Sequence, residues 1–288
     1  MTFARLRHRL ANLLVPQHTN RHGFPSEWPV YMEKQKAFLE SLPLLVSVGE
    51  RTFLREFEAQ PNERVVFGLG FLAWEDFEDI QVLAGNGRGF GCQKILRGMY
   101  ERVLTAARLT EHPDEIQRFV EWHYVNDYKL ARVIHETFGE SVISTELLAQ
   151  KKAKRDSVSH AFTRTCSEKD CGRTLPSFSW TNLDVVALSK KCEGFANIIG
   201  EGYYIPMVHT HPSMQAILDR LDADGFMGNP ERQRRWVRPV LAAAHYLTLL
   251  SVETQLKQFP DLRATVEKDH ARCVTEYGEM WGKVDPSA

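Results

Sequence analysis

Apolar residues recur at helical spacing along almost the whole chain from Glu27 onward, and no segment of comparable length alternates with a period of two. A half-buried strand needs that alternation and a parallel sheet needs strands between its helices, so sandwich, barrel and doubly wound architectures are all disfavoured. Sustained heptads are missing as well, which removes a long coiled coil. What remains is an all-α protein, a bundle-like body of about nine to ten helices. At 288 residues, a single compact body would bury about 75% of the surface its unfolded chain exposes, so the core needs no covalent staple.

Proline and glycine punctuate this pattern. The spacing predicts helices over 29–47, kinked by Pro43, over 50–59, and over 62–84 after Pro61. Gly85-Asn-Gly-Arg-Gly89 marks a turn; with no strand before it and no Gly-Lys-Ser/Thr after it, a phosphate loop is not indicated. Further helices are expected over 90–111, over 113–138 ending at Gly139, and from 144 into the basic run Lys151 to Arg155. The stretch Cys166 to Ser179 has loop composition and is the best internal boundary within an otherwise single all-helical domain, 27–288. Helices over 182–193, over 196–220 with interruptions at Pro206 and Pro212, over 229–258 and from Pro260 complete the set.

Residues 1–26 stand apart. They carry Arg5, Arg7, Arg9 and Arg21 without an acidic residue, and Phe3, Leu6, Leu10, Leu13 and Leu14 recur at helical spacing. A basic amphipathic segment docked on the body, followed by a linker, is the preferred reading; a transit peptide or membrane-surface helix is the alternative.

A formal net charge of −1 gives no global attraction to nucleic acid or anionic lipid, so any such binding needs a local patch. Five cysteines without Cys-x-x-Cys spacing read as reduced thiols in a cytoplasmic setting. No apolar run is long enough for a membrane-spanning helix. The sequence permits a homo-oligomer without specifying one.

Polar residues within apolar helical segments carry the candidate chemistry, because such groups need partners. Arg97 and Glu101 stand four apart on one helix and can pair. Tyr204 and His211, seven apart, could supply further hydrogen bonds from a facing helix. The expectation is that Arg97, Glu101 and His211 share one sequestered pocket. His209-Thr-His211 could offer metal ligands with Glu101 for a divalent ion, although on a helix residues two apart point about 200° away from each other. The string His209-Thr-His-Pro212, with Asp219 and Asp222, partly matches the metal motif of JAMM-type isopeptidases, whose strands are lacking here. Arg118 to His123, Arg155 to His160 and Arg238 to His245 each fit the Arg-then-His spacing of HEPN-type ribonucleases, but with 11 histidines in the chain chance supplies about two or three such matches. Cys166, Cys171, His160 and Cys192 are too irregularly spaced for a zinc assignment, and free thiols are the plainer reading. Arg232, Arg234, Arg235 and Arg238 around Trp236 form a basic and aromatic cluster that could contact phosphates.

Two segments, Ala73 to Arg132 around Arg97-Gly-Met-Tyr-Glu101 and Trp180 to Ser213 ending Tyr203-Tyr-Ile-Pro-Met-Val-His-Thr-His-Pro-Ser213, together resemble a bacterial helical family, domain of unknown function 5677. The resemblance implies that Arg97, Glu101, Trp180, Tyr204 and His211 are signature positions. It departs at Met207, where a serine commonly precedes the histidine by four, so a proton relay through that serine is lost here. The family implies no reaction.

Three functions of different classes fit these residues. The first is an RNA-binding or RNA-cleaving protein of stress or phage defence, with Arg97 and His211 facing a phosphate, Glu101 orienting one of them and Tyr204 assisting. A metal-dependent hydrolase with Glu101 and His211 as ligands in a helical bundle is the second. The third is a non-catalytic interaction module in which the polar cluster fixes helix register.

Overall fold

The computed structural model describes residues 27–56, 60–166, 171–225, 227 and 229–282, and the basic segment 1–26 lies outside them. The protein is all-α. Its chain divides into two compact units, one built from residues up to Thr110 and from Ser189 onward, the other from Glu111 to Leu188.

In the first unit the long helices are α1 (Glu27–Lys34), α2 (Lys36–Phe53), α3 (Pro61–Gly85) and α4 (Gly89–Glu111). The separate helices expected at 29–47 and 50–59 are replaced by a break at Gln35 and one helix running through Pro43 to Phe53. The hydrogen bond that proline removes is outweighed by the burial of Phe38, Leu42, Leu45, Val48 and Phe53 on one face of α2. Close approach needs small residues: a Cβ on Gly49 would lie 2.2 Å from the Trp74 ring, so glycine is what lets α2 and α3 meet there.

The second unit holds α5 (Ile116–Phe138), α6 (Thr145–Val158) and a hairpin of two three-residue strands, β1 (Thr163–Thr165) and β2 (Thr174–Pro176), in register Arg164↔Leu175. Such short strands leave no alternation to read, which is why β2 falls in a stretch whose composition suggested only loop. Gly139, at φ 82°, ends α5, and Ser144 caps α6 by accepting from the Leu147 N–H at 3.2 Å. Lys151 ties the two helices through Asp127 at 2.6 Å. Trp180, buried, meets the Phe119 ring edge-on at 5.4 Å and its carbonyl accepts from Arg118 Nε, with the Arg118 guanidinium over Phe162. Trp180 thus has a packing role within the second unit.

The chain enters the first unit again at the end of α7 (Val185–Ser189) and continues through short elements to α8 (Ile205–Thr210), α9 (Met214–Leu218) and α10 (Pro230–Arg234), then α11 (Val237–Gln258) and α12 (Arg263–Trp281). Helix α11 is the core of this unit. It buries residues on every side, among them Val240, Leu241, Ala244, Leu247 and Val252, and packs on α2, α3 and α12. Among the described residues no helix is long and apolar enough to cross a membrane.

Candidate functional site

Helix α4 presents its buried face, with Leu96, Met99, Tyr100 and Val103, to the core of the first unit. Arg97 and Glu101 stand beside that face, one turn apart, and Arg97 donates from Nε to Glu101 Oε1 at 3.1 Å. Occupying Nε in this way turns the two terminal amino groups of the guanidinium outward. One of them, Nη1, lies 2.7 Å from His211 Nε2; the other, Nη2, reaches the Tyr203 hydroxyl at 3.5 Å. A guanidinium can only donate, so His211 Nε2 is the acceptor and the neutral ring carries its proton on Nδ1.

Proline chemistry explains how His211 gets there. The expected helix over 196–220 is broken into a 3-10 turn (Ala196–Ile198), a π-helical turn (Gly200–Tyr204), α8 and α9. Pro212 disfavours the helical conformation in the residue before it, so α8 stops at Thr210 and His211 is extended, with φ −107° and ψ 155°. Ser213 secures the reversal, donating to the Val208 carbonyl at 2.9 Å and accepting from the Ala216 N–H at 3.0 Å.

The π turn decides which tyrosine takes part. Its extra residue shifts the helical register, so Tyr203 rather than Tyr204 meets Arg97, with the guanidinium carbon 5.0 Å from the Tyr203 ring centre. Tyr204 is exposed and touches Tyr203 edge-on at 5.6 Å. Sequence spacing pointed to Tyr204 because a straight helix puts residues seven apart on one face, and the chain is not straight there. Tyr203 rests 6.0 Å from Tyr100, which is fully buried and donates to the Phe195 carbonyl at 3.1 Å. Burial raises the Tyr100 hydroxyl well above the usual phenol range, so it stays a donor. Gly202 permits this packing, since a Cβ there would sit 2.6 Å from Tyr100 Cδ2.

The cluster is not sequestered. The Arg97 side chain keeps 21% of its accessible surface and Glu101 45%, and His211 is exposed. These groups therefore form a polar cluster open to solvent.

The other candidate residues are placed differently. His209 is buried 4.7 Å from the Phe90 ring and 5.9 Å from Trp236, with Nε2 3.5 Å from Asp219 Oδ2, and burial lowers its proton affinity. Glu101 and His211 both attend Arg97, and among the described residues no group of three or more His, Cys, Asp or Glu is arranged to hold a metal. The donor set that Glu101, His209 and His211 would have offered a divalent ion is thus not assembled, because the turn at His211 separates it from His209.

The arginine cluster is largely committed to the fold. Arg234 grips both oxygens of Glu27 at 2.7 Å and also pairs with Glu231, joining α1 to α10. That guanidinium holds the Glu27 carboxyl below the usual carboxylate range. Arg235 lies 3.8 Å from Asp219 and over Trp236, while Arg238 covers the Trp281 ring. Of the Arg-then-His pairs, Arg238–His245 is broken up by the burial of His245, which accepts from Trp281 Nε1 at 3.2 Å.

No curated protein and no solved structure matches the chain. Residues 65–228 match the model of a family of unknown function, DUF5677, and this span holds Arg97, Glu101, Tyr203, His211 and Trp180. The match covers more than half of the 288 residues; the chain therefore belongs to the DUF5677 family.

Proposed function

We propose that the cluster of Arg97, His211 and Tyr203 is an anion site, and that the protein binds RNA there and cleaves it in a cytoplasmic stress or defence setting. The observation that supports this reading is the 2.7 Å approach of Arg97 Nη1 to His211 Nε2 at an exposed position. A guanidinium satisfied by a neutral imidazole trades that partner readily for a phosphate, with which it makes stronger, charge-assisted bonds. The exchange frees the Nε2 lone pair of His211 at the moment a phosphodiester arrives.

His211 Nε2 then takes the proton of a ribose 2′-hydroxyl, whose oxygen attacks phosphorus. The bond from phosphorus to the 5′-oxygen breaks, water protonates the leaving oxygen, and a 2′,3′-cyclic phosphate remains. Arg97 neutralises the charge that accumulates on the non-bridging oxygens and the Tyr203 hydroxyl donates to one of them. Glu101 touches no substrate; by holding Nε it fixes the direction of the guanidinium.

The experiment is incubation of purified protein with single-stranded RNA and with the 2′-deoxy oligonucleotide of the same sequence. Cleavage of RNA alone, with cyclic phosphate ends and lost in both Arg97→Ala and His211→Ala, is expected. Cleavage of both oligonucleotides would rule out attack by the 2′-hydroxyl, and failure to bind either would overturn the reading.

A further inference from the structure

The β1–β2 hairpin of the second unit holds two cysteines that the proposed RNA chemistry does not use. Cys166 directly follows β1, and its backbone N–H donates to the Arg173 carbonyl at 2.8 Å, extending the ladder one step beyond Thr165↔Thr174. From the facing segment Arg173 donates through Nε to the Cys171 sulfur at 3.0 Å. The Cys166 side chain lies near enough to act on the same sulfur. The Arg173 bond foremost, with Cys166 beside it, lowers the proton affinity of Cys171. Neither cysteine is buried.

The remaining cysteines supply the contrast. Cys92, Cys192 and Cys273 are buried, and burial pushes the Cys92 and Cys273 thiols up to about 12. The nucleophile of thiol oxidation is the thiolate, so buried, protonated thiols react slowly.

We propose that Cys166 and Cys171 form an oxidisable dithiol in which Cys171 attacks, Cys166 resolves and a hydroperoxide is the oxidant. The Cys171 thiolate attacks one peroxide oxygen, the O–O bond breaks, and hydroxide or alkoxide departs with the electron pair, leaving a sulfenic acid. The Cys166 sulfur then attacks Cys171 sulfur, the S–O bond breaks, and the departing oxygen takes the Cys166 proton to leave as water. Two thiols have lost two electrons to the peroxide, and a disulfide closes the hairpin. Arg173 touches both cysteines, Cys166 through its carbonyl and Cys171 through its guanidinium, which gathers them at one end of the hairpin where a bond of about 2.05 Å can close. This site is independent of the RNA reading.

The test treats the full-length protein with hydrogen peroxide, counts free thiols and maps peptides by mass spectrometry. Wild type should lose two titratable thiols per chain, gain an intramolecular link between Cys166 and Cys171, and recover both on reduction. In Cys166→Ser the oxidation should stop at a sulfenic acid on Cys171 that dimedone captures, and Arg173→Gln should slow disulfide formation several-fold at unchanged helix content. An intermolecular link, a link to Cys192, an undiminished thiol count, dimedone capture elsewhere than Cys171, or an unaltered rate in Arg173→Gln would each overturn the assignment.

Discussion

Arg97 and His211, 114 positions apart in the chain, meet at 2.7 Å through Nη1 and Nε2, with the imidazole accepting. The contact is formed without enclosure: α4 supplies the arginine beside its buried face, and the chain reversal at Pro212 supplies the histidine from outside any helix. A permanent cation and an imidazole that accepts its hydrogen bond are thus held side by side in the open. An arriving anion gives the guanidinium a charge-assisted partner in place of the imidazole, whereas a cation gains nothing from Arg97.

For Arg97→Ala we expect loss of RNA binding with little loss of stability. A partly exposed arginine of this kind contributes about 1 kcal/mol or less to folding. Arg97→Lys should fail to restore binding, because an ammonium cannot satisfy Glu101, His211 and a phosphate from one rigid fork. Gel shift and thermal melting on the same preparations check both halves, and an RNA affinity that Lys restores fully would show that charge alone matters.

Glu101→Ala should cost about 1 kcal/mol rather than the roughly 3–5 kcal/mol of a broken buried pair, since the carboxylate is nearly half exposed and salt screens it. Activity should fall further than stability, as the guanidinium loses the bond that aims it. Urea denaturation beside RNA cleavage measures the two, and a drop in stability as large as the buried-pair figure would mean the pair is shut off from water in solution.

Much of this was legible in the residues. Helical periodicity identified the all-α body, and the i,i+4 spacing of Arg97 and Glu101 predicted a pairing that is present. Pro206 and Pro212 announce the interruption of the later segment, but no sequence rule available from a single chain places a π turn, so spacing points to Tyr204 where the structure brings Tyr203 to Arg97. Burial was misjudged for a related reason: Ile95 and Met99 flank Arg97 in sequence, yet only Met99 is fully buried, and the arginine lies at the margin of the apolar stripe. Arg234 looked like a phosphate contact because its partner Glu27 stands 207 residues away.

Gly202→Ala should perturb the site from below. The added methyl would lie 2.6 Å from Tyr100, whose ring is fixed by burial and by its bond to the Phe195 carbonyl, so the π turn must shift and carry Tyr203 with it. Overpacking of this sort costs about 1–3 kcal/mol. RNA cleavage should fall while Gly200→Ala, where a Cβ meets nothing within 4 Å, leaves it nearly unchanged. Equal behaviour of the two variants in activity and melting would remove the positioning role assigned to Gly202.

Acid should destabilise the protein through its buried histidines. His245 is pushed down from 6.5 to about 3 by burial, and burial also lowers His209 and His270. The unfolded chain takes up these protons at its ordinary value near 6.5 while the folded chain refuses them, so their contribution is complete above that pH and is lost progressively as pH falls toward about 3. Asp76, pushed up to about 6 by burial despite its pairing with Arg102, acts in the opposite sense: its contribution is complete below its ordinary value of 3.8 and is lost as pH rises from there to about 6. His245→Phe isolates the histidine: it leaves the Trp281 N–H without its acceptor and lowers stability at neutral pH, but it removes one titrating group and should flatten the decline in melting temperature between about pH 6.5 and 4. Parallel melting curves for wild type and variant across that range would show that His245 is protonated as readily in the fold as outside it.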